Sequence, residues 1–129
     1  MTIQINQLDD QKCEKLLEDK QLRFVGVINK LGNLVAGGFR HEVIPFETEA
    51  KRRMMYMQMA LEISMRKDFD EVLGEIDYIA SKRKNALMIT IPINGKVVLI
   101  SAKPYSVTEE IVSKVIKVFK NSNGGDYVQ

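Results

Sequence analysis

Apolar and polar positions form their clearest pattern between residues 22 and 40. Two apolar runs, at 22–28 and 34–39, flank a polar segment that contains Asn29, Gly32 and Asn33. Gly and Asn tolerate the positive φ of a tight turn, so the pattern predicts a β-hairpin. The first run has apolar residues on both alternating sides, with Leu22, Phe24 and Ile28 on one side and Val25 and Val27 on the other. Such a strand is typically covered on both faces, so we expect an interior strand with helices above and below it.

Helical spacing of apolar residues predicts three helices. The first spans residues 9–20, where apolar and charged side chains fall on opposite sides. The second spans residues 49–66, and Thr48 is placed to cap its start. The third follows Ser106, which fits a capping box with Glu109. We therefore expect one helix before the hairpin, one after it and one near the end of the chain.

Three further strands are predicted, at 74–81, 86–93 and 96–102. The first of them alternates cleanly, with Ile76 and Tyr78 on one face, which is typical of a strand near a sheet edge. Asn94 and Gly95 form a strong signal for a type I′ turn between the other two. The last strand is apolar on both sides, so it is the second interior candidate.

The order of these elements predicts the topology. Hairpin connections make each strand group antiparallel, and the two interior strands, the first and the fifth, are expected to pair and join the groups. The fold class is then α+β, a five-stranded antiparallel sheet sandwiched by helices in the order α-β-β-α-β-β-β-α. The second helix crosses between the two sheet edges and covers one face, while the first and last helices cover the other.

The second helix has more apolar surface than one sheet face can cover. Its middle is rich in methionine and leaves only a narrow polar stripe through Lys51, Gln58 and Glu62. Core packing explains most of these residues, but a second apolar stripe remains, and exposed apolar area of that size usually marks a partner surface. Together with the edge strand, it predicts a homodimer interface formed by Met54, Met55, Met57, Met59, Leu61, Ile76 and Tyr78. Which stripe of the helix faces outward stays open at this point.

The chain resembles the roadblock group of dynein light chains and their bacterial and archaeal relatives, within the profilin-like and longin-like class. The resemblance covers about residues 9–120 and depends on element order and two hairpins, RFVGVINKLGNLVAGG and NALMITIPINGKVVLIS. It extends to small uncharacterised archaeal proteins with a similar hairpin. The resemblance implies dimers formed through the second helix and third strand, and a small Ras-like GTPase or another signalling protein as partner. No catalytic signature accompanies it.

Composition limits the class of protein. The 129 residues are expected to form one domain, with a core at about 9–120 and a frayed tail at 121–129. The net charge of +2 is too balanced for a general nucleic-acid binder. The single cysteine excludes an internal disulfide, and neither a signal peptide nor a membrane span is evident, so a cytoplasmic protein without a membrane partner is expected.

No group of residues predicts catalysis, a metal or a cofactor. Cys13 and His41 are the only residues of their kinds, too few ligands for a structural zinc site. Cys13 lies on the apolar side of its helix, where a small buried hydrophobe is the ordinary interpretation and an activity based on its thiol is a minor one.

Two basic clusters remain, Lys51, Arg52 and Arg53 in the first and Lys82, Arg83 and Lys84 in the second. A solvated surface is the ordinary interpretation of such runs. The other is a patch for an anionic partner, such as a phosphate-bearing ligand, nucleic acid or an acidic protein surface.

The leading functional hypothesis is a non-enzymatic dimeric interaction or regulatory module. The alternative is a small-ligand sensor of the PAS or GAF kind, with a pocket between sheet and helix lined by Phe24, Tyr56, Met57 and Phe69.

Overall fold

Four helices and five strands make up the part of the chain that the structure describes, which is residues 2–124 for the backbone and 7–120 for side chains in a computed structural model. The elements are α1 (Thr2–Leu16), β1 (Leu22–Ile28), β2 (Leu34–Phe39), α2 (Glu49–Arg66), α3 (Asp70–Leu73), β3 (Ile79–Lys82), β4 (Leu87–Ile93), β5 (Lys96–Ala102) and α4 (Thr108–Gly124). A 3-10 turn, Lys67–Phe69, joins α2 to the short α3. The predicted order of long helices and strands is confirmed.

The five strands form one antiparallel sheet in the order β2-β1-β5-β4-β3. β1 and β5 are interior strands, and their pairing joins the two hairpin groups as predicted. β2 and β3 are the two edges. Because α2 connects β2 to β3, it crosses from one edge of the sheet to the other.

The sheet has a separate apolar core on each face. On one face, α1 and α4 pack through residues such as Cys13, Leu16 and Val115 against the sheet. On the other, Tyr56, Ala60 and Ile63 of α2 are buried against the sheet. This arrangement confirms the predicted sandwich of helices.

One side chain of β1 lies on a different face from the one predicted. Leu22 packs in the α1–α4 core with Val25 and Val27, whereas Phe24 and Ile28 pack against α2. The pairing of β1 with β5 is irregular between Leu22 and Phe24, and an extra residue in a ladder changes the face that the next side chain occupies. Strict alternation was therefore the wrong rule at this end of the strand.

The turn of the first hairpin lies against α2. The Asn29 Oδ1 atom accepts hydrogen bonds from the backbone N–H groups of Leu31 and Asn33, each at 3.0 Å. Gly32 has φ +84°, and a Cβ there would lie 2.6 Å from the Cα of Met57. The turn therefore needs glycine both for its conformation and for its contact with the helix.

Three predicted boundaries differ from the structure. α1 begins at Thr2 and ends at Leu16, rather than spanning 9–20, and β3 begins at Ile79 rather than at residue 74. The predicted capping box is wrong, since α4 begins at Thr108 and the buried Ser106 Oγ has no hydrogen-bond partner among the described side chains. Of the tail predicted at 121–129, the backbone of 121–124 continues α4, and 125–129 lie outside the described residues.

Candidate interaction surface

An apolar stripe runs along the solvent side of α2 and continues past its end. Met54, Met57, Leu61 and Met65 recur every three or four residues, and each is about half exposed or more, from 51% for Met54 to 61% for Met65. This spacing places them on one side of a helix. Phe69 and Leu73 extend the same row and are also exposed. We call these six residues the outer stripe.

The opposite side of α2 faces the sheet. Met55 and Met59 are partly buried and pack on the same core as Tyr56, Ala60 and Ile63. Thr48 caps the helix as predicted, because its hydroxyl accepts a hydrogen bond from the Lys51 N–H at 3.2 Å. The structure thus decides which methionines face outward: Met54 and Met57 do, and Met55 and Met59 do not.

The second half of the outer stripe, from Leu61 onward, lies beside the β3 edge of the sheet. A groove of about 650 Å³ is lined by Leu61, Met65, Phe69 and Leu73 and by residues 74–79. Within residues 2–124, β3 pairs only with β4, so its other side carries backbone groups without a neighbouring strand. An apolar helix side and an open sheet edge therefore adjoin one another.

The two residues predicted on the edge strand fall on different faces. Residues 74–78 precede β3, so strand alternation does not apply to them. Ile76 packs with the α2 core, while Tyr78 packs with the α1–α4 core. Both line the groove beside the outer stripe.

The predicted basic clusters separate in the structure. Lys51 and Arg53 line neither the groove beside the outer stripe nor a second, large groove, which Arg52 lines together with Lys82, Arg83 and Lys84. Arg23 and Arg66 line the same groove, although sequence reasoning did not select them. Arg23 could have been found, since it is the single charged residue in an otherwise apolar strand.

The environment of Cys13 argues against thiol chemistry. Its side chain is fully buried in the α1–α4 core. Burial, followed by the nearby carboxylates of Asp9, Asp10 and Glu14, raises the pKa of Cys13 from 9.0 to about 12. A thiol of this kind stays protonated at neutral pH, and the thiolate is the nucleophilic form.

The residues predicted for a sensor pocket do not enclose one cavity. Phe24 and Tyr56 are buried with their rings stacked, 5.9 Å between centroids, while Met57 and Phe69 are exposed on the outer stripe. Within residues 7–120, no cluster of three or more His, Cys, Asp or Glu side chains could hold a metal ion. None of the described helices combines the length and apolar character needed to cross a bilayer.

Comparison with solved structures identifies the fold. A roadblock/LC7 domain from Streptomyces avermitilis matches with a TM-score of 0.68 and 10% identity, over 90% of this chain and 95% of that chain. An MglB structure described as having a tetrameric arrangement matches with a TM-score of 0.71 and 10% identity, over 86% of this chain and 82% of that chain. Schizosaccharomyces pombe profilin matches with a TM-score of 0.63 and 9% identity, over 92% and 98%. The chain therefore has a roadblock-like and profilin-like fold.

No curated protein matches the chain. The model of one protein family, described as "Family of unknown function (DUF6659)", matches residues 1–125.

Proposed function

The chain belongs to the DUF6659 family, and we propose that it is a non-enzymatic regulatory module that acts as a homodimer and binds a signalling protein. The observation that carries this proposal is the outer stripe beside the open β3 edge. Exposed apolar residues occur singly on most soluble proteins, whereas a continuous row of them is typical of an interface. The row has six members, Met54, Met57, Leu61, Met65, Phe69 and Leu73.

In a homodimer with its two-fold axis beside β3, one contact covers both the outer stripe and the open β3 edge. Two antiparallel β3 strands placed side by side supply partners for each other's free backbone groups and continue the sheet across the axis. The α2 helices of the two protomers then approach on the same face, and their outer stripes bury one another. Methionine suits this contact, because its flexible side chain adapts to an irregular partner surface.

The proposed class of partner, a signalling protein, follows from the fold. The roadblock resemblance implies a small Ras-like GTPase or another signalling protein, and the MglB structure with a tetrameric arrangement supports assembly of several copies. The buried, protonated Cys13 supports a non-enzymatic function.

Sedimentation of matched charge variants tests the dimer. The outer-stripe variant Met54→Glu with Leu61→Glu is expected to give folded monomers, because two carboxylates per chain would be desolvated in the contact. Lys51→Glu with Arg53→Glu alters the same helix outside the outer stripe and should leave the dimer intact. Met55→Glu with Met59→Glu places charges against the sheet and should unfold the chain, as seen by circular dichroism. A wild-type chain that sediments as a monomer at about 100 µM would overturn the dimer, since a stable interface binds more tightly than that.

The partner is tested separately. Wild-type protein and the monomeric outer-stripe variant are each used to capture proteins from native lysate, and the retained proteins are identified by mass spectrometry. A Ras-like GTPase retained by the wild type supports the partner class. A retained set of signalling proteins without any GTPase contradicts that class but leaves the dimer result standing.

A further inference from the structure

A second, larger groove of about 1280 Å³ lies between α2 and one end of the sheet. Its floor includes one cross-strand row with a residue from every strand: Phe39, Phe24, Ser101, Met88 and Ser81 are paired in that order from β2 to β3. Neighbouring strands are about 4.8 Å apart, so this row is about 19 Å long. Phe24 and Ser101 of this row are buried, while Phe39, Met88 and Ser81 are at least partly exposed, so the row runs beneath the groove from one sheet edge to the other.

The two walls of this groove come from α2 and from the sheet end. Arg52, Met55, Met59 and Arg66 lie along the helix wall. The other wall includes Arg23, Phe46 and the turn at 83–86. These α2 residues lie on a different side of the helix from the outer stripe, but Gln58, Glu62, Arg66 and Ile79 line both grooves, so the two sites adjoin one another.

Positive charge is concentrated on this lining. Six cationic residues line the groove, Arg23, Arg52, Arg66, Lys82, Arg83 and Lys84, against two carboxylates, Glu47 and Glu62. The whole chain has a net charge of only +2. Glu62 is already paired with Arg66, 3.1 Å from its guanidinium. We call this site the basic groove.

The guanidinium groups of Arg23 and Arg52 contact neutral groups. Arg23 donates a hydrogen bond to the Ile44 carbonyl at 3.2 Å, and its guanidinium lies 4.1 Å from the centre of the Phe46 ring. Arg52 donates to the Glu47 carbonyl at 2.8 Å, and its guanidinium lies 5.4 Å from the centre of the Phe39 ring. These contacts fix the side chains without cancelling their charge.

Most of these cations make no ion pair. Among residues 7–120, Arg23, Arg52, Arg83 and Lys84 have no carboxylate within 4.0 Å. Lys82 pairs with Leu87 of the α1–α4 core and donates to the Pro104 carbonyl at 2.6 Å, so its ammonium lies on the other face of the sheet from α2. A guanidinium has five N–H donors, so the arginines can still bind carboxylates.

We propose that the basic groove binds an acidic, extended segment of a partner protein, about six residues long. That length follows from the 19 Å floor at about 3.3 Å per residue. The groove also exceeds the usual volume of small-molecule sites, about 300–1,000 Å³, which favours a chain segment over a compact ligand. Apolar side chains of the segment lie on the partly exposed Phe39 and Met88, and its carboxylates face the cations of the walls.

Fluorescence anisotropy with a defined probe tests this proposal. The probe is a fluorescein-labelled peptide of sequence ELEFELE, and the controls are KLKFKLK, with reversed charge, and ESESESE, without apolar side chains. We expect ELEFELE to bind wild-type protein, KLKFKLK not to bind, and ESESESE to bind about tenfold more weakly, since one buried aromatic residue contributes more than 1.4 kcal/mol.

Two protein variants with the same change in net charge locate the site. Arg83→Glu with Lys84→Glu reverses two charges in the groove, while Lys51→Glu with Arg53→Glu reverses two charges outside it. The first is expected to weaken ELEFELE binding by about tenfold or more and the second by less than about twofold. All four side chains lie at positions where their loss should leave the fold intact, which circular dichroism and sedimentation check.

Three results would overturn the proposal. One is no binding of ELEFELE by wild-type protein up to about 1 mM. Another is an equal loss in both variants, which would indicate a general charge effect. The third is displacement of the peptide by inorganic tripolyphosphate at an ionic strength where sodium chloride has no effect, which would assign the groove to phosphate groups. Sedimentation tests the dimer and peptide binding tests the basic groove, so failure of one proposal can be told from failure of the other.

Discussion

The phenolic hydroxyl of Tyr78 donates a hydrogen bond to the carboxylate of Glu109, which ties the segment before β3 to the first turn of α4. The two residues are 31 positions apart. The bond, together with the charge of the carboxylate, raises the pKa of Tyr78 above its ordinary value near 10. The groove beside the outer stripe is therefore anchored to the opposite face of the sheet.

Glu109→Gln is expected to lower the pKa of Tyr78, because an amide accepts the hydrogen bond without a negative charge. The raised pKa stabilises the fold below the ordinary tyrosine pKa, and that contribution is lost as pH rises through the folded-state pKa. Absorbance titration of the phenolate in wild type and variant gives the shift as a difference. Glu110→Gln, one residue away and without this bond, is the control. Identical titration curves for wild type and Glu109→Gln would contradict the contact.

Lys96→Met should destabilise the chain more than Lys114→Met. Lys96 Nζ lies 2.8 Å from the Asp9 carboxylate, whose side chain is only 8% exposed, so its loss leaves a buried charge unpaired. We expect a cost of about 1–3 kcal/mol in the free energy of unfolding. Lys114 Nζ lies 2.7 Å from the more exposed Asp19, and that loss should cost less than about 1 kcal/mol. Urea denaturation of both variants gives the comparison, and equal costs would show that Asp9 is effectively solvated.

Gly37→Ala is expected to be among the most destabilising substitutions in β2. Gly37 has φ +85°, and an added Cβ would lie 2.1 Å from the Val25 carbonyl oxygen and 2.8 Å from Cys13 Sγ. Strain and overpacking together predict a loss of about 3 kcal/mol.

Two other glycines separate the causes of that loss. Gly95→Ala retains the strain at φ +80° but meets open space, and should cost about 1 kcal/mol. Gly38→Ala has neither problem and should be neutral or stabilise by up to about 1 kcal/mol. Denaturation midpoints rank the three variants. If Gly37→Ala and Gly95→Ala cost the same, the close contact of Gly37 with β1 and with Cys13 of α1 is not what requires glycine.

Cys13→Ser should lower stability by about 1–3 kcal/mol, because it places a hydroxyl in an apolar site. Iodoacetamide is expected to modify wild-type Cys13 only in denaturant, since the folded thiol is buried and protonated. The raised pKa means that the folded state holds its proton between pH 9.0 and about 12 while the unfolded state loses it, so stability falls over that range. Cys13→Ala should remove this part of the alkaline decline. Rapid labelling of the native protein at neutral pH would be inconsistent with the buried thiol.

The sequence correctly predicted the bounds of those elements that depend on contacts between residues close together in the chain. β1, β2 and α2 have the predicted bounds, because apolar runs, turn residues and the Thr48 cap act within a few residues. The sheet order was also predictable, since two strands with apolar residues on both sides had to be interior. The resemblance to roadblock proteins agreed with this order.

The errors occur where a distant contact overrides the local pattern. Glu109 fits a capping box by spacing, but its carboxylate binds Tyr78. Leu22 follows the alternation of β1 by sequence, but the irregular pairing with β5 changes its face. The basic groove was also beyond sequence reasoning, because Arg23, Arg52 and Arg83 meet only through the strand register and the path of α2. Such groupings depend on tertiary structure and leave no spacing signal.

The pairing of β1 with β5 has a consequence for the order of folding. It joins Leu22 to Ala102, whereas β1–β2 and β4–β5 are hairpins that close over a few residues. The entropy of closing so long a loop must be lost before the central contacts form, so the two hairpin groups are expected to fold early and dock late. Until they dock, β1 and β5 each have an open apolar edge that can pair with another chain. A covalent link that shortens this loop should therefore raise the refolding rate and reduce aggregation during refolding.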